Sequence, residues 1–300
     1  MAHNNGNGKN REQDSGDLRA RVLAIESVET LPHVVTRIMT IVNDEDSTAL
    51  DLATEIARDQ ALTLKILRTV NSSYYGFQRR ILTVPDAVVV LGFDEVERLA
   101  ITIAMLDTLG IGRNAMKAQR MLWRHSLACS MACGVFEIRY IREMPELRGA
   151  HIAGLLHDVG KAVLAEHFPA EFKAVLELAE TGELSQFDAE QQVLDGFSHC
   201  DVGAWLADAW GLPEALVESI RAHHPPAVDE AGHPMACVTH VVDALCNTFG
   251  IRSFPTGPPP RISPAASEKI PMDENLVVAV RNQLNRNQNL MVAVSSGAMY

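Results

Sequence analysis

The sequence has no apolar run approaching the roughly 18 residues that a membrane-spanning helix needs, so no membrane partner is expected. Its five cysteines, Cys129, Cys133, Cys200, Cys237 and Cys246, contain no CxxC pair. An odd number without a framework excludes a disulfide scaffold and fits a reducing compartment. Cys129 and Cys133 stand one helical turn apart and read as small core residues. There is no cluster of Lys and Arg, and the formal net charge is −12, which argues against nucleic acid and anionic lipid as partners. Alternating strand patterns are scarce, and no internal repeat is visible. No signal peptide is seen in MAHNNGNGKNREQDSG, residues 1–16, which is polar throughout and reads as a disordered tail. These absences leave a cytoplasmic, all-α protein as the expectation. With 300 residues and 47% hydrophobic content, the chain can bury a large core in one or two domains.

What is present is helical spacing almost throughout. Pro32 suits a first turn, and Leu31, Val34, Val35, Ile38 and Val42 then form one stripe. Thr48 and Asp51 match a capping box for a helix through Ile56. Asp59 can cap the next helix, with Leu62, Ile66 and Val70 inward. Pro85 starts a short helix that Gly92 stops, and Asp94 with Glu97 suggests another capping box. A long pattern runs from about Asn114 to Arg139. Further helices are expected near 148–158, 161–181, 199–210, 213–222 and 235–249. SFPTGPPPRISPAAS, 253–267, has the composition of a linker, and Leu276, Val277, Val280 and Leu284 mark a final helix that either packs back or serves a partner.

The stretch GLLHDVGK, 154–161, sets His157 beside Asp158 in an apolar run. A buried carboxylate is costly unless it is paired or binds a metal. The pair has company: His125 in WRHS, His199 in FSHCDVGAW, His223 and His224 ending the helix that begins at Pro213, and Asp243 in THVVDALC. Each has an ordinary alternative. His125 can be a core histidine, His199 a surface residue at a helix start, His223 and His224 partners of a helix C-terminal dipole, and Asp243 a solvated helix residue. Together they offer the imidazole nitrogens and carboxylate oxygens that suit iron, manganese, zinc or a similar divalent ion. His125, His157, Asp158 and Asp243 can hold one ion. Asp158 can bridge to a second, completed by His199, His223 and His224. Two such ions about 3.5–4 Å apart polarise a phosphate and generate hydroxide near neutral pH. Asp158 and Lys161 would then be the catalytic residues, with Lys161 touching a phosphate oxygen; its alternative is a solvated lysine. His151 and His240 read either as supports of the ligands or as ordinary buried histidines. Trp205 and Trp210 read as core, and Tyr74 and Tyr75 as packing between lobes.

The series His125, His157-Asp158, Asp243 resembles the H…HD…D pattern of the HD phosphohydrolase superfamily. His199 and His223-His224 resemble its dinuclear branch, which includes the HD-GYP phosphodiesterases. DQALTLKILRTVNSSYYGF (59–77), ILTVPDAVVVLGFDEVERLAI (81–101), LWRHSLA (122–128) and VGAWLADAWGLPEALVESIRAHHPP (202–226) are similar to the HD-related output domain, HDOD, over roughly residues 25–250. The resemblance implies an all-α fold of two lobes, with an HD-like C-terminal lobe, working in bacterial signal transduction. Many members resemble non-catalytic binding modules that have lost ligands; this sequence keeps every position that can be matched. It departs from the HD-GYP enzymes after the paired histidines, where HHPPAVDEAGHP has no GYP and no acidic residue directly following HH, which counts against cyclic di-GMP hydrolysis. Met121, one turn before His125, offers no carboxylate for a third ion.

The expected organisation is a tail (1–16), an N-terminal lobe (17–112), an HD-like lobe carrying the metal site (113–252), a Pro-rich linker (253–272) and a C-terminal helix (273–300). Two readings of function follow. In the first, a metal-binding signalling module acts through a protein partner. In the second, a metal-dependent phosphohydrolase takes a phosphoester or nucleotide. A coordination position open to a cleft favours the second; a closed one favours the first.

Overall fold

The computed structural model of the chain describes residues 18–25, 31–44, 46–72, 75–108, 117–254, 258–288 and 290–292; the 1–16 tail lies outside them. The fold is all-α, with no strand among the described residues.

The first group of helices is α1 (His33–Asn43), α2 (Ala49–Ala57), α3 (Gln60–Val70), α4 (Val84–Leu91) and α5 (Phe93–Thr108). They form where the sequence supplies both a cap and a stripe. In α1, Val35 and Ile38 are fully buried. The Thr48 hydroxyl accepts from the Asp51 N–H, and the Asp51 carboxylate accepts from the Thr48 N–H, completing the expected box. Asp59 caps α3, which buries Leu62, Ile66 and Val70. Asn71 then uses its amide on both sides of Ile81, accepting from its N–H and donating to its carbonyl, and so closes the loop between α3 and α4. The box expected at Asp94 and Glu97 is absent. Gly92, at φ 90°, ends α4 and α5 starts at once at Phe93, so Asp94 falls inside the first turn and Glu97 is buried facing His151. Tyr75 donates to Glu95 on α5, a contact within this group rather than between lobes; Tyr74 lies outside the described residues.

The second group is α6 (Lys117–Tyr140), α7 (Ala150–Leu156), α8 (Val159–His167), α9 (Pro169–Glu180), α10 (Gln186–Val193), α11 (His199–Ala209), α12 (Glu214–Arg221), α13 (Ala227–Ala231), α14 (Pro234–Thr248), α15 (Pro264–Lys269) and α16 (Glu274–Arg286). Helix α6 is the axis, packed by α7, α14 and α16, while α11 packs on α8 and α12. The single helix expected over 161–181 is two. Pro169 has no N–H to donate and drives Phe168 out of helical geometry, to φ −129°, ψ 53°.

The expected boundary between the lobes, at 112–113, lies outside the described residues. The two groups meet where α5 touches α7. There His151 Nε2 lies 2.9 Å from Glu97 and its Nδ1 lies 2.9 Å from Glu137 on α6. His151 therefore bridges helices, paired with Glu97 and Glu137 and not with the candidate ligands.

The stretch expected to be a linker packs onto the rest of the chain at several points. Phe254 is buried edge-on against Phe172, Ser263 donates its N–H to His240, and Ile270 is fully buried. Leu276, Val280 and Leu284 bury one face of α16, which lies on α6. Pro264 opens helix α15, so part of this proline-rich stretch is helical.

Candidate metal centre

Two glycines of GLLHDVGK let its helices approach their neighbours. A Cβ at Gly154 would lie 2.7 Å from the Cys129 carbonyl oxygen on α6, and one at Gly160 would lie 2.0 Å from that of His199. Backbone cannot yield at such distances, so both positions require glycine. The contact at Gly160 draws α8 onto the start of α11 and carries His199 to Asp158.

The side chains converge. His125 Nε2 is 3.0 Å from Asp243 Oδ1 and 3.8 Å from Asp158 Oδ2; His157 Nε2 is 3.4 Å from Asp158 Oδ2. On the other side, Asp158 Oδ1 is 3.2 Å from His199 Nε2 and 3.9 Å from His223 Nε2, and those two nitrogens are 3.3 Å apart. The two oxygens of Asp158 thus face two separate sets of donors. His224 sits at the rim, only partly buried, in a tight group with His199, Cys200 and His223. It and His223 follow the end of α12 rather than closing the helix itself. Lys161 Nζ is 2.9 Å from Asp158 Oδ1 and 3.4 Å from Ser253 Oγ.

The histidines are aimed from behind. His125 Nδ1 is 2.7 Å from the Ile251 carbonyl, His157 Nδ1 2.9 Å from that of Gly154, and His223 Nδ1 2.8 Å from that of Ile220. His199 Nδ1 is 2.5 Å from Glu190. Carbonyl and carboxylate oxygens only accept, so each Nδ1 carries a hydrogen and each Nε2 is turned inward as a potential donor to a metal. Asn247 fixes Asp243 with an amide hydrogen bond of 2.7 Å. His240 lies outside the cluster but supports it, donating through Nδ1 to the His223 carbonyl.

The electrostatics match an ion site. Burial alone would raise Asp158, yet the charges of His157 and Lys161 hold it well below the usual carboxylate range. Burial opposes charge on His125, but the bond to Asp243 pushes its pKa up to about 9, so taking up a metal there releases a proton. Burial, reinforced by neighbouring imidazoles, holds His223 and His224 neutral, the state that ligates. His157 Nε2 and Asp158 Oδ1 are buried without a hydrogen bond, the latter despite its closeness to Lys161. Buried polar atoms are rarely left so, and here both face the centre of a nitrogen and oxygen donor set. The residues therefore fit one or two divalent ions.

Three neighbours were not evident from sequence. Cys200 Sγ lies 3.5 Å from His199 Nε2, and Cys129 Sγ 3.5 Å from His125 Nε2, so both cysteines border the cluster. Cys200 directly follows His199, which could have marked it. Glu190 is fully buried on α10, a helix that sequence periodicity did not reveal.

A cleft of about 460 Å³ opens on Lys161, His199, His224 and Asp243. Phe187, Phe254 and Pro258 to Pro260 form apolar parts of its wall, and Arg252 and Arg261 add positive charge.

An all-α fold enclosing paired histidine and aspartate sets defines a class of candidate metalloproteins. A model of the HDOD domain matches residues 28–226, and the chain belongs to that family. It is similar in fold to an HDOD domain protein of unknown function from Geobacter sulfurreducens, with TM-score 0.74 and 25% identity over 97% of this chain and 99% of that one. A candidate signal-transduction protein from Marinobacter aquaeolei VT8 gives TM-score 0.73 and 23% identity, covering 97% of this chain and 66% of that one. A candidate phosphohydrolase from Shewanella amazonensis SB2B gives TM-score 0.61 and 20% identity, covering 93% and 98%. The chain spans less than half the length of the curated relatives it matches. No helix among the described residues is long and apolar enough to cross a membrane.

Proposed function

We propose that this chain is a metal-dependent phosphohydrolase of the HDOD family, working in signal transduction. The observation that carries this reading is the cleft, which reaches His199, His224 and Asp243 directly and so leaves the donor set open on one side. His125, His157, Asp158 and Asp243 would hold one ion; Asp158, His199, His223 and His224 a second. A bound divalent ion supplies Lewis acidity and lowers the pKa of a coordinated water. The chain's own residues do the rest. Lys161, kept charged by Asp158, and the guanidinium groups of Arg252 and Arg261 offer a phosphate the positive charge it binds best. Phe187, Phe254 and the prolines shield one side of the ligand from water. The test is metal analysis of protein purified without chelator, followed by assays on phosphomonoesters, phosphodiesters and nucleotides. Turnover that needs the metal and disappears in Asp158→Asn is expected. A metal-loaded, folded protein inert on all of them overturns it.

A second reading, output through a protein partner, is favoured by aliphatic side chains on α3, on α4 and just before α4. Leu64 is 65% exposed, Leu82 69% and Val89 85%. If Leu82→Glu and Val89→Glu abolish the cellular output while folded Asp158→Asn preserves it, association is the function. Truncation after Arg252 cannot separate the two readings, because the docked tail walls the cleft and covers α6.

A further inference from the structure

We infer that Glu190 is a positioning residue that makes the two ion positions unequal, by fixing the second one with a buried charge where the first has only neutral supports behind its histidines. The inference rests on the metal-binding reading of the same site.

Four histidines point Nε2 into the cluster, and for three of them the group behind is a backbone carbonyl, from Ile251, Gly154 or Ile220. For His199 it is the Glu190 carboxylate. One oxygen, Oε2, accepts from both the His199 backbone N–H, at 2.9 Å, and its Nδ1–H, at 2.5 Å; the other is 3.3 Å from Gln186 Nε2. The residue is fully buried. Gripping a histidine through backbone and ring together leaves it no freedom to turn. Its Nε2 is held 3.2 Å from Asp158 Oδ1 as a result.

A carboxylate behind an imidazole does more than a carbonyl does. The hydrogen bond is charge-assisted and roughly twice as strong, and the acceptor's charge raises the basicity of the opposite nitrogen. Burying Glu190 is costly unless positive charge lies within reach, and an ion on His199 provides it.

The same helix grips a second donor. Phe187, one turn before Glu190 on α10, lies over the His224 ring at 4.8 Å and 30°, and edge-on to His199 at 6.2 Å. Thus α10 organises His199 and His224 together. Among the described residues of the first position, Asp243 is steadied instead by the neutral amide of Asn247. The two positions therefore answer differently to a single neutralising change on α10.

The experiment titrates the full chain, wild type and Glu190→Gln, with Mn2+, measuring bound metal by equilibrium dialysis and elemental analysis. Gln keeps the shape and removes the charge. Wild type is expected to show two binding steps. Glu190→Gln should keep the first unchanged and weaken the second about 10–100-fold. Two unchanged steps in Glu190→Gln overturn the inference. So does equal weakening of both steps in a variant with wild-type circular dichroism, because that marks a merely structural role. Should Glu190→Gln fail to fold, Glu190→Asp, which keeps the charge but shortens its reach, must weaken the second step selectively; two unchanged steps there overturn it equally. A wild-type chain that binds no Mn2+ sinks the metal-binding reading itself, and this inference with it.

Discussion

Around Ile38, Leu52, Ile56 and Ile66 the first five helices bury aliphatic side chains against one another. In the later helices, α6, α8, α11 and α14, together with the residues that begin α8 and follow α12, bury His125, His157, Asp158, Lys161, His199, His223 and Asp243 within a few ångströms. The first interior is a core whose members can be exchanged at modest cost if volume is kept. The second cannot be simplified one residue at a time, since removing one partner strands another. The second region gathers its candidate metal ligands into a polar knot that is costly to bury unless its members are paired or hold an ion.

The largest effect that would sharpen this contrast is expected from Asp158→Ala. It strands the buried Lys161 ammonium, which should cost about 3–5 kcal/mol in metal-free protein, and it should remove bound metal altogether. Chemical denaturation and elemental analysis on one sample check both. Ile38→Ala in the first region should cost about 2–5 kcal/mol through its cavity yet leave metal content as in wild type. Metal loss in that variant would break the comparison.

His151 sits at the seam between the regions and supplies a pH test. Burial disfavours its charged form, but Glu97 and Glu137 on either side push its pKa up to about 9. A raised histidine stabilises while protonated. Its contribution is complete below about pH 6.5 and disappears as pH rises through about 9, a loss of about 2.5 kcal/mol between pH 7 and 10. His151→Gln should flatten that part of the stability profile, measured by denaturation across pH in metal-free protein. Smallest of all, Thr48→Ala removes the cap of α2 and should cost about 1 kcal/mol, with metal binding untouched.

Much of this architecture is legible in the sequence because it depends on local chemistry. Thr48 with Asp51, Asp59 before α3 and Pro85 near Gly92 are caps and stops written within a few residues. The candidate ligands stand out because seven ionisable groups in apolar surroundings are hard to explain singly. What escapes is whatever depends on distant partners. Glu190 looks like any helix-surface acid until His199 is brought to it. Phe168-Pro169 divides a pattern whose apolar spacing runs on unbroken. The prolines of 258–260 suggest a tether, and only the surfaces beneath Phe254, Ile270 and Leu276 show that the chain beyond 252 has somewhere to bind. The place of His151 is likewise set by partners from two other helices.

The Ile251 carbonyl behind His125 has a consequence for how the chain could be divided. The HDOD match ends at residue 226, ahead of both Asp243 and Ile251. A fragment cut at that limit for transplantation into another protein would carry His125, His157-Asp158, His199 and the paired histidines but omit Asp243, a candidate ligand, and the Ile251 carbonyl that accepts from His125. The transferable unit runs at least through Ser253. The family match stops at residue 226, and the candidate site continues past that mark.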